Sequence, residues 1–295
     1  MSDAAIKTAP VKKKKKETMF RQVIMRMVHN PVPMIGCVIL ALIILASIFA
    51  SVIAPYSPDA MDYTALKAGP SAQHLLGCDA LGRDLLTRIL YGGRYSLLLG
   101  FVCAFTNAII GVIFGCLVGY AGGAVDNIVM RICDVWMAIP GMLLCILISA
   151  ALGGGFVNTV IALSVGSIPG SIRSTRSMAL KEREMEYLEA AKAMNCRLPK
   201  ILYKHMMPNI IAPTIVGTTG QIGGNIMQAA SLSYIGLGIP STLCEWGAMC
   251  NDGKNYILNY PHMIIWPGIA ILITVLATNL IGDGLRDAMD PRLKD

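Results

Sequence analysis

The sequence predicts an all-α, polytopic membrane protein with six transmembrane helices. Three observations predict it. Apolar residues make up 55% of the 295-residue chain and charged residues only 15%, against roughly 25% in a soluble domain, and mean hydropathy is +0.59. The charges are clumped, leaving uncharged stretches at 27–58, 95–125, 135–172, 205–244 and 255–282. An uncharged, mostly apolar run of about 20 residues is what a helix needs to cross the ~30 Å hydrocarbon core of a bilayer. Finally, the runs lack the strict alternation of a barrel strand. Helices are then the remaining way to satisfy every backbone group in lipid.

The elements follow in order. Residues 1–33 form a polar, basic arm, in which Pro10 and the run Lys12 to Lys16 argue for a solvated tail beside anionic lipid and against a packed fold. The apolar run from Met34 to Ala54 exceeds the ~7–15 residues of a cleaved signal segment, so it reads as a retained first span. Pro55 and Pro58 end it, and the mixed-charge stretch after it completes a unit of residues 34–94. A second span at 96–120 turns at Gly122-Gly123. A third, 132–152, is broken from a fourth, 156–172, by Gly153-Gly154-Gly155. A charged, helical segment leads to a fifth span at 209–235, which Gly236, Gly238 and Pro240 stop. After a polar loop the sixth span covers 263–281. Residues 95–284 thus make the main transmembrane domain, with a connecting loop at 173–208, and 285–295 a short charged tail.

Lysine and arginine placement orients the chain. With six spans both termini share a side with the 120–134 turn and the 173–204 segment. Only Lys67, Arg83, Arg88, Arg94 and Lys254 fall opposite. The termini are therefore expected in the cytoplasm. Gly111, Gly115 and Gly119 repeat at the spacing that lets membrane helices approach closely, and Pro140, Pro169, Pro213 and Pro267 fall in or near spans.

The informative stretch runs from Glu182 to Met194. Tyr187, Ala190, Ala191 and Met194 recur at i, i+3, i+4 and i+7, which is one helical face, with Glu182, Glu186 and Glu189 on the other side. This is a short amphipathic helix whose small alanines suit a partner's groove and whose acidic rim suits basic residues beside it; a surface-lying connector satisfies the same pattern. Asn195 suits the left-handed residue that ends such a helix, and Pro199 the first turn of the next.

Glu189-Ala190-Ala191, then Asn195, then Ile201 and Met207-Pro208-Asn209 resemble the E-A-A loop of ABC importer permeases. Asn195 stands where that pattern has Gly and Met207 where it has Leu; Asn keeps the turn and Met an apolar contact. The stretch from His74 to Asp84, H-L-L-G-C-D-A-L-G-R-D, is similar to an element of peptide and nickel permeases, with Cys78 in place of Thr. Gly119 to Gly123 with Asp126, Met130-Arg131 and Asp134, then Leu232 to Gly238 with Trp246-Gly247, and Asn279 to Asp287 with Asp290-Pro291-Arg292, extend the likeness to the carboxyl end. On these motifs the chain is identified as a member of the dipeptide/oligopeptide/nickel permeases, C-type subunit. The resemblance implies a type-I ABC importer transmembrane fold in the bacterial cytoplasmic membrane. It also implies a second homologous permease, cytoplasmic ATPases and an extracytoplasmic substrate-binding protein. Glu186, Glu189, Ala190, Ala191, Asn195 and Pro208 would form the loop that docks with the ATPase. Import of di- and oligopeptides is the expected function; nickel or another small solute, or export, remains open.

Other residues are assigned by elimination. No G-x-x-x-x-G-K-[ST] occurs, so ATP and magnesium belong to partner subunits, and no cofactor, metal or nucleic acid is expected on this chain. His29, His74, His205 and His262 are scattered, and four cysteines lie within apolar runs; Cys244 and Cys250 share an outer loop. Asn107, Thr218, Gln221 and Asn225 are uncharged polar residues within spans, suited either to lining a peptide pathway or to packing between helices. Asp134 is expected to pair with Arg131 near a membrane face. Tyr256, Tyr260, Trp266 and Trp246 read as interfacial anchors.

Overall fold

The computed structural model describes residues 19–289, with side chains from residue 23. Among these the secondary structure is helical, with a single isolated bridge between Cys78 and Asp84. The helices are α1 (Met19–His29), α2 (Pro31–Ile48), α3 (Ala50–Ile53), α4 (Leu85–Ala121), α5 (Gly123–Met137), α6 (Gly141–Leu152), α7 (Phe156–Arg183), α8 (Glu186–Ala193), α9 (Leu198–Lys200), α10 (Met207–Tyr234), α11 (Trp246–Gly253) and α12 (His262–Met289). A π-helical turn, Ile201–Met206, joins α9 to α10.

Local chemistry sets the starts of the long helices. Asn30 caps α2 by accepting from the Val32 N–H at 3.1 Å, with Pro31 in the first position. Asp84 caps α4 by accepting from the Thr87 N–H at 2.8 Å. That cap places the start of α4 eleven residues before the expected second span. Charge was a poor boundary there, because Arg88 is buried inside the helix and donates to the carbonyls of Pro58 (3.2 Å) and Ser241 (3.0 Å). The first helical residues lie earlier too: α1 occupies part of the expected polar arm, and Arg26 donates to the Ala288 carbonyl at the end of α12 at 3.1 Å. The lysine run and Pro10 lie outside the described residues.

The third span is not the single helix expected over 132–152. α5 and α6 meet at an 80° bend. Pro140 explains it: its ring blocks the helical hydrogen bond and pushes the preceding residue out of the α region. α2, α4 and α12 are each long and apolar enough to cross a membrane, and the bent α5–α6 pair adds a fourth candidate. α7 and α10 have 28 residues each, about 42 Å of helix at 1.5 Å per residue, and carry more hydroxyl and amide groups. Pro169, Pro213 and Pro267 lie inside α7, α10 and α12. Leu42, Ile109, Leu147 and Leu272, on α2, α4, α6 and α12, are each more than half exposed. Such a belt of bare aliphatic surface suits lipid or a partner helix.

α4 is the axis of the bundle. It runs parallel to α7, and the two backbones meet along Gly111, Gly115 and Gly119, where an added Cβ would come within 2.9, 2.6 and 2.7 Å of the Cβ atoms of Ser171, Thr175 and Ala179. The small-residue spacing therefore serves packing within this subunit. α12 lies antiparallel to α2, with Gly36 against Ala277 and Gly284 against Pro33, and Gly223 of α10 approaches Thr278 of α12.

Overpacking a tight helix seam costs about 1–3 kcal/mol. Gly115→Ala should therefore lower the thermal unfolding midpoint of the purified protein in detergent. Gly217→Ala, at a helical glycine with nothing within 4 Å, should leave it unchanged or raise it.

Candidate functional site

The segment between α7 and α10 folds as a compact cap at one end of the α4–α7 seam. α7 runs through Arg183, so Glu182 belongs to it, and the short helix is Glu186–Ala193, narrower than the expected 182–194. Its buried face is also different. Leu188 and Ala191, spaced i and i+3, pack with Cys116, Ala179, Ile201, Leu202, Met206 and Ile210, whereas Tyr187, Ala190 and Met194 are exposed. The periodicity of the four apolar residues was real, but the longer Leu188 won the inward position.

What α8 shows outward is therefore mixed: Glu186, Glu189, Ala190 and Lys192, followed by the cap residue Met194, 72% exposed. Both carboxylates sit in the first turn, where the helix dipole favours negative charge. Asn195 does end the helix in the left-handed region, at φ 54°. Its N–H donates to the Lys192 carbonyl at 2.9 Å and the Cys196 N–H to the Ala191 carbonyl at 3.1 Å, the paired bonds of a Schellman turn. Pro199 lies in the first turn of α9 and Pro208 in the first turn of α10. The expected docking residues Glu186, Glu189, Ala190, Asn195 and Pro208 are thus exposed, and Ala191 is the one that is buried.

The polar residues within spans separate into two groups. Thr218 and Gln221 come together on a cavity of ≈ 40 Å³ between α4, α7 and α10, beside Ser171, Thr175 and Thr214. That volume admits a water molecule or two among polar partners. Thr218 spends its hydroxyl on the Thr214 carbonyl at 2.8 Å. Asn107 and Asn225 do not line this cavity; both are buried, Asn107 with neither amide atom bonded and Asn225 with its amide nitrogen unbonded. Beside the polar cavity an apolar groove of ≈ 300 Å³ is lined by Phe105, Ile109, Ile215 and Ile222.

Two ion pairs fasten α5 to α7: Asp126 with Arg176, and Asp134 with Arg173. The expected partner of Asp134, Arg131, lies on the same helix and is replaced by a cation from the helix α5 packs against. At the opposite end of the bundle the 55–84 loop is pinned by buried charge. Arg83 donates from Nε to Asp79 at 2.6 Å and from Nη2 to Asp252 on α11 at 3.3 Å. Burial pushes the Asp252 carboxyl above its ordinary range, against the opposing pull of Arg83. His74 Nδ1 lies 3.0 Å from Asp84 Oδ1. Glu245 caps α11 and accepts from Ser96 Oγ at 3.2 Å. Trp246 is not an interfacial anchor: it is buried, and its Nε1 donates to the Ile89 carbonyl at 3.0 Å. Cys244 and Cys250 are free and buried.

Comparison with known proteins places this architecture. Residues 111–295 match the family described as binding-protein-dependent transport system inner membrane component, and residues 18–70 match the N-terminal TM domain of oligopeptide transport permease C. The chain belongs to this permease family. The permease is 40% identical over 293 residues to the glutathione transport system permease protein GsiD of Pectobacterium atrosepticum, covering 99% of this chain and 97% of that one. It is 41% identical over 262 residues to the GsiD protein of Escherichia coli, covering 88% and 86%. A solved structure of the MetNI methionine ABC transporter in inward-facing conformations shares the fold, with TM-score 0.54 at 19% identity, covering 69% of this chain and 97% of that chain. The permease is accordingly a multi-pass inner-membrane subunit of an ABC importer with a type-I fold, a non-catalytic component that works with an ATPase and a substrate-binding protein.

Left-handed backbone costs a branched residue roughly 1–2 kcal/mol, and glycine nothing. Asn195→Val should speed hydrogen exchange at the amides of residues 195 and 196, which hold the turn, while Asn195→Gly should leave both protected.

Proposed function

We propose that the permease spans the membrane six times with both termini in the cytoplasm. It pairs there with a second, homologous permease, and α8 is its docking point for the ATPase. The observation that carries this reading is α8 itself: a single short helix, seated by Leu188 and Ala191 on the ends of α4, α7 and α10, that leaves Glu186, Glu189, Ala190 and Met194 bare. Closure of the ATPases would push on this face, and α7 and α10, continuous with the cap on either side, would tilt. ATP and magnesium stay on the ATPase subunits. The excess of lysine and arginine on the α8 side supports the orientation.

For the substrate we propose small peptides moved inward. The relatives are named for transport of glutathione, itself a tripeptide, and the amino-terminal region matches a model named for oligopeptide transport. The polar cavity at Thr218 and Gln221 lies between spans that the cap would move, so those two residues are candidates to meet a peptide backbone; Asn107 and Asn225 are available where the helices part.

Two measurements test these readings. Breaking one partner of a buried, charge-assisted contact costs about 2–5 kcal/mol. Glu189→Lys should therefore abolish stimulation of ATP hydrolysis by substrate-loaded binding protein in the reconstituted complex; normal stimulation removes Glu189 from the docking contact. Uptake of labelled di- and tripeptides, glutathione among them, should be lost in a deletion strain and should resist competition by nickel. Loss confined to nickel uptake would overturn the peptide assignment.

A further inference from the structure

Leu188 and Ala191 are neighbours one turn apart on the same side of α8. Those contacts fix how deep the helix sits, and the turns at Met185 and Asn195 fix where it starts and stops; its angle to the flanking spans is a separate matter. A helix that swivels cannot pass a push on to the spans behind it. Something must hold its angle.

The holding group lies at the amino end of α8. The Tyr187 hydroxyl donates to Glu182 Oε1 on the last turn of α7. Asn209 Nδ2, on the first turn of α10, lies 3.0 Å from the same Glu182 oxygen, 2.8 Å from the Tyr187 hydroxyl oxygen and 3.0 Å from the His205 carbonyl. Its two hydrogens are thus shared among three acceptors, one from each element that meets there. Partial desolvation of the hydroxyl and the neighbouring Glu182 carboxylate push the Tyr187 phenol up to about 12, so it stays a donor throughout the physiological range. The His205 carbonyl belongs to the π-helical turn 201–206, and π-turns leave irregular backbone geometry that side chains can complete.

We propose that Glu182, Tyr187 and Asn209 form a polar clasp that locks the angle of α8 to α7 and α10, making them the positioning residues through which a push on α8 becomes tilt of both spans. The assignment rests on α8 being the ATPase docking helix, and it adds the joint behind it. None of the three residues lines the polar cavity at Thr218 and Gln221. Their loss leaves docking intact but lets α8 turn under load, so that ATP is hydrolysed without movement of the gate. The apolar seat of Leu188 and Ala191 runs along one line of the helix. The clasp acts off that line and on both flanking spans at once.

The test is the amount of substrate moved per ATP hydrolysed by the complete importer in proteoliposomes. Tyr187→Phe removes the oxygen that bonds Glu182 and Asn209 and should lower that ratio several-fold, with unchanged thermal midpoint and ATPase co-purification. Glu182→Ala should behave alike, while Glu182→Gln, which keeps an acceptor oxygen, should retain most of the ratio. Asn209→Ala serves as a third, independent variant. A photo-crosslinking residue at position 194, on the bare face of α8, reports docking separately. If it captures the ATPase while Tyr187→Phe and Glu182→Ala keep the wild-type ratio, the clasp is overturned and docking stands. If it captures no ATPase, the docking reading fails and the clasp's role in coupling fails with it.

Discussion

The close approach of α4 and α7 is the constraint on which the rest of the molecule depends. In lipid there is little hydrophobic drive between helices, so association rests on van der Waals packing, and small residues are what allow it. Gly111, Gly115 and Gly119 let two parallel helices, separated by the whole of α5 and α6, run in contact for more than two turns. The seam does more than join two spans. Its lower end, with Cys116 from α4 and Ala179 from α7, is the floor on which Leu188 and Ala191 rest. A larger residue in the seam would move the floor, and the face that α8 presents would move with it.

Charge is used differently at the two ends of the bundle. Near α8 the ion pairs of Asp126 and Asp134 tie α5 across to α7 and are partly open to solvent; pairs of that kind contribute modestly to stability and serve chiefly to set alignment. At the far end Asp79, Arg83, Asp84, Arg88 and Glu245 are all buried. Each is held by backbone or side-chain partners from a different element, and removing one partner of such a set strands the others. The far end is thus built to stay as it is, while the end bearing α8 is built of short helices, turns and exposed polar bonds.

Much of this was legible in the chain. Uncharged runs marked where long apolar helices lie, up to four of them candidates to cross a membrane, glycine spacing marked the α4–α7 seam, and Asn195 marked the left-handed turn with its physical reason attached. Boundaries were not legible where a charge is engaged inside the fold: Arg88, which is buried, and Arg94, which is exposed, look like loop residues until carbonyls from distant segments are seen to accept from them. Nor could periodicity choose between Leu188 and the Tyr187–Met194 set as the seated face of α8. The four-residue alternative fits a helix equally well, and part of the floor beneath, Cys116, comes from α4, some 70 residues away. The pairing of Asp134 with Arg173 and the meeting of Glu182, Tyr187 and Asn209 have the same cause. They are products of tertiary packing, which no local pattern encodes.

The length of α4 carries a consequence of its own. Its 37 residues make a rod of about 55 Å, while the oily slab it crosses measures about 30 Å. Even tilted, that rod outruns the slab, so part of it must stand in aqueous or headgroup surroundings. The stretch near Leu85, sheathed by the 55–84 loop and α11, becomes a stiff post fixed to the same backbone that reaches the α8 cap. The 37 residues form one helix without a break, so the end packed by the 55–84 loop and the end beneath α8 share a single column of peptide hydrogen bonds.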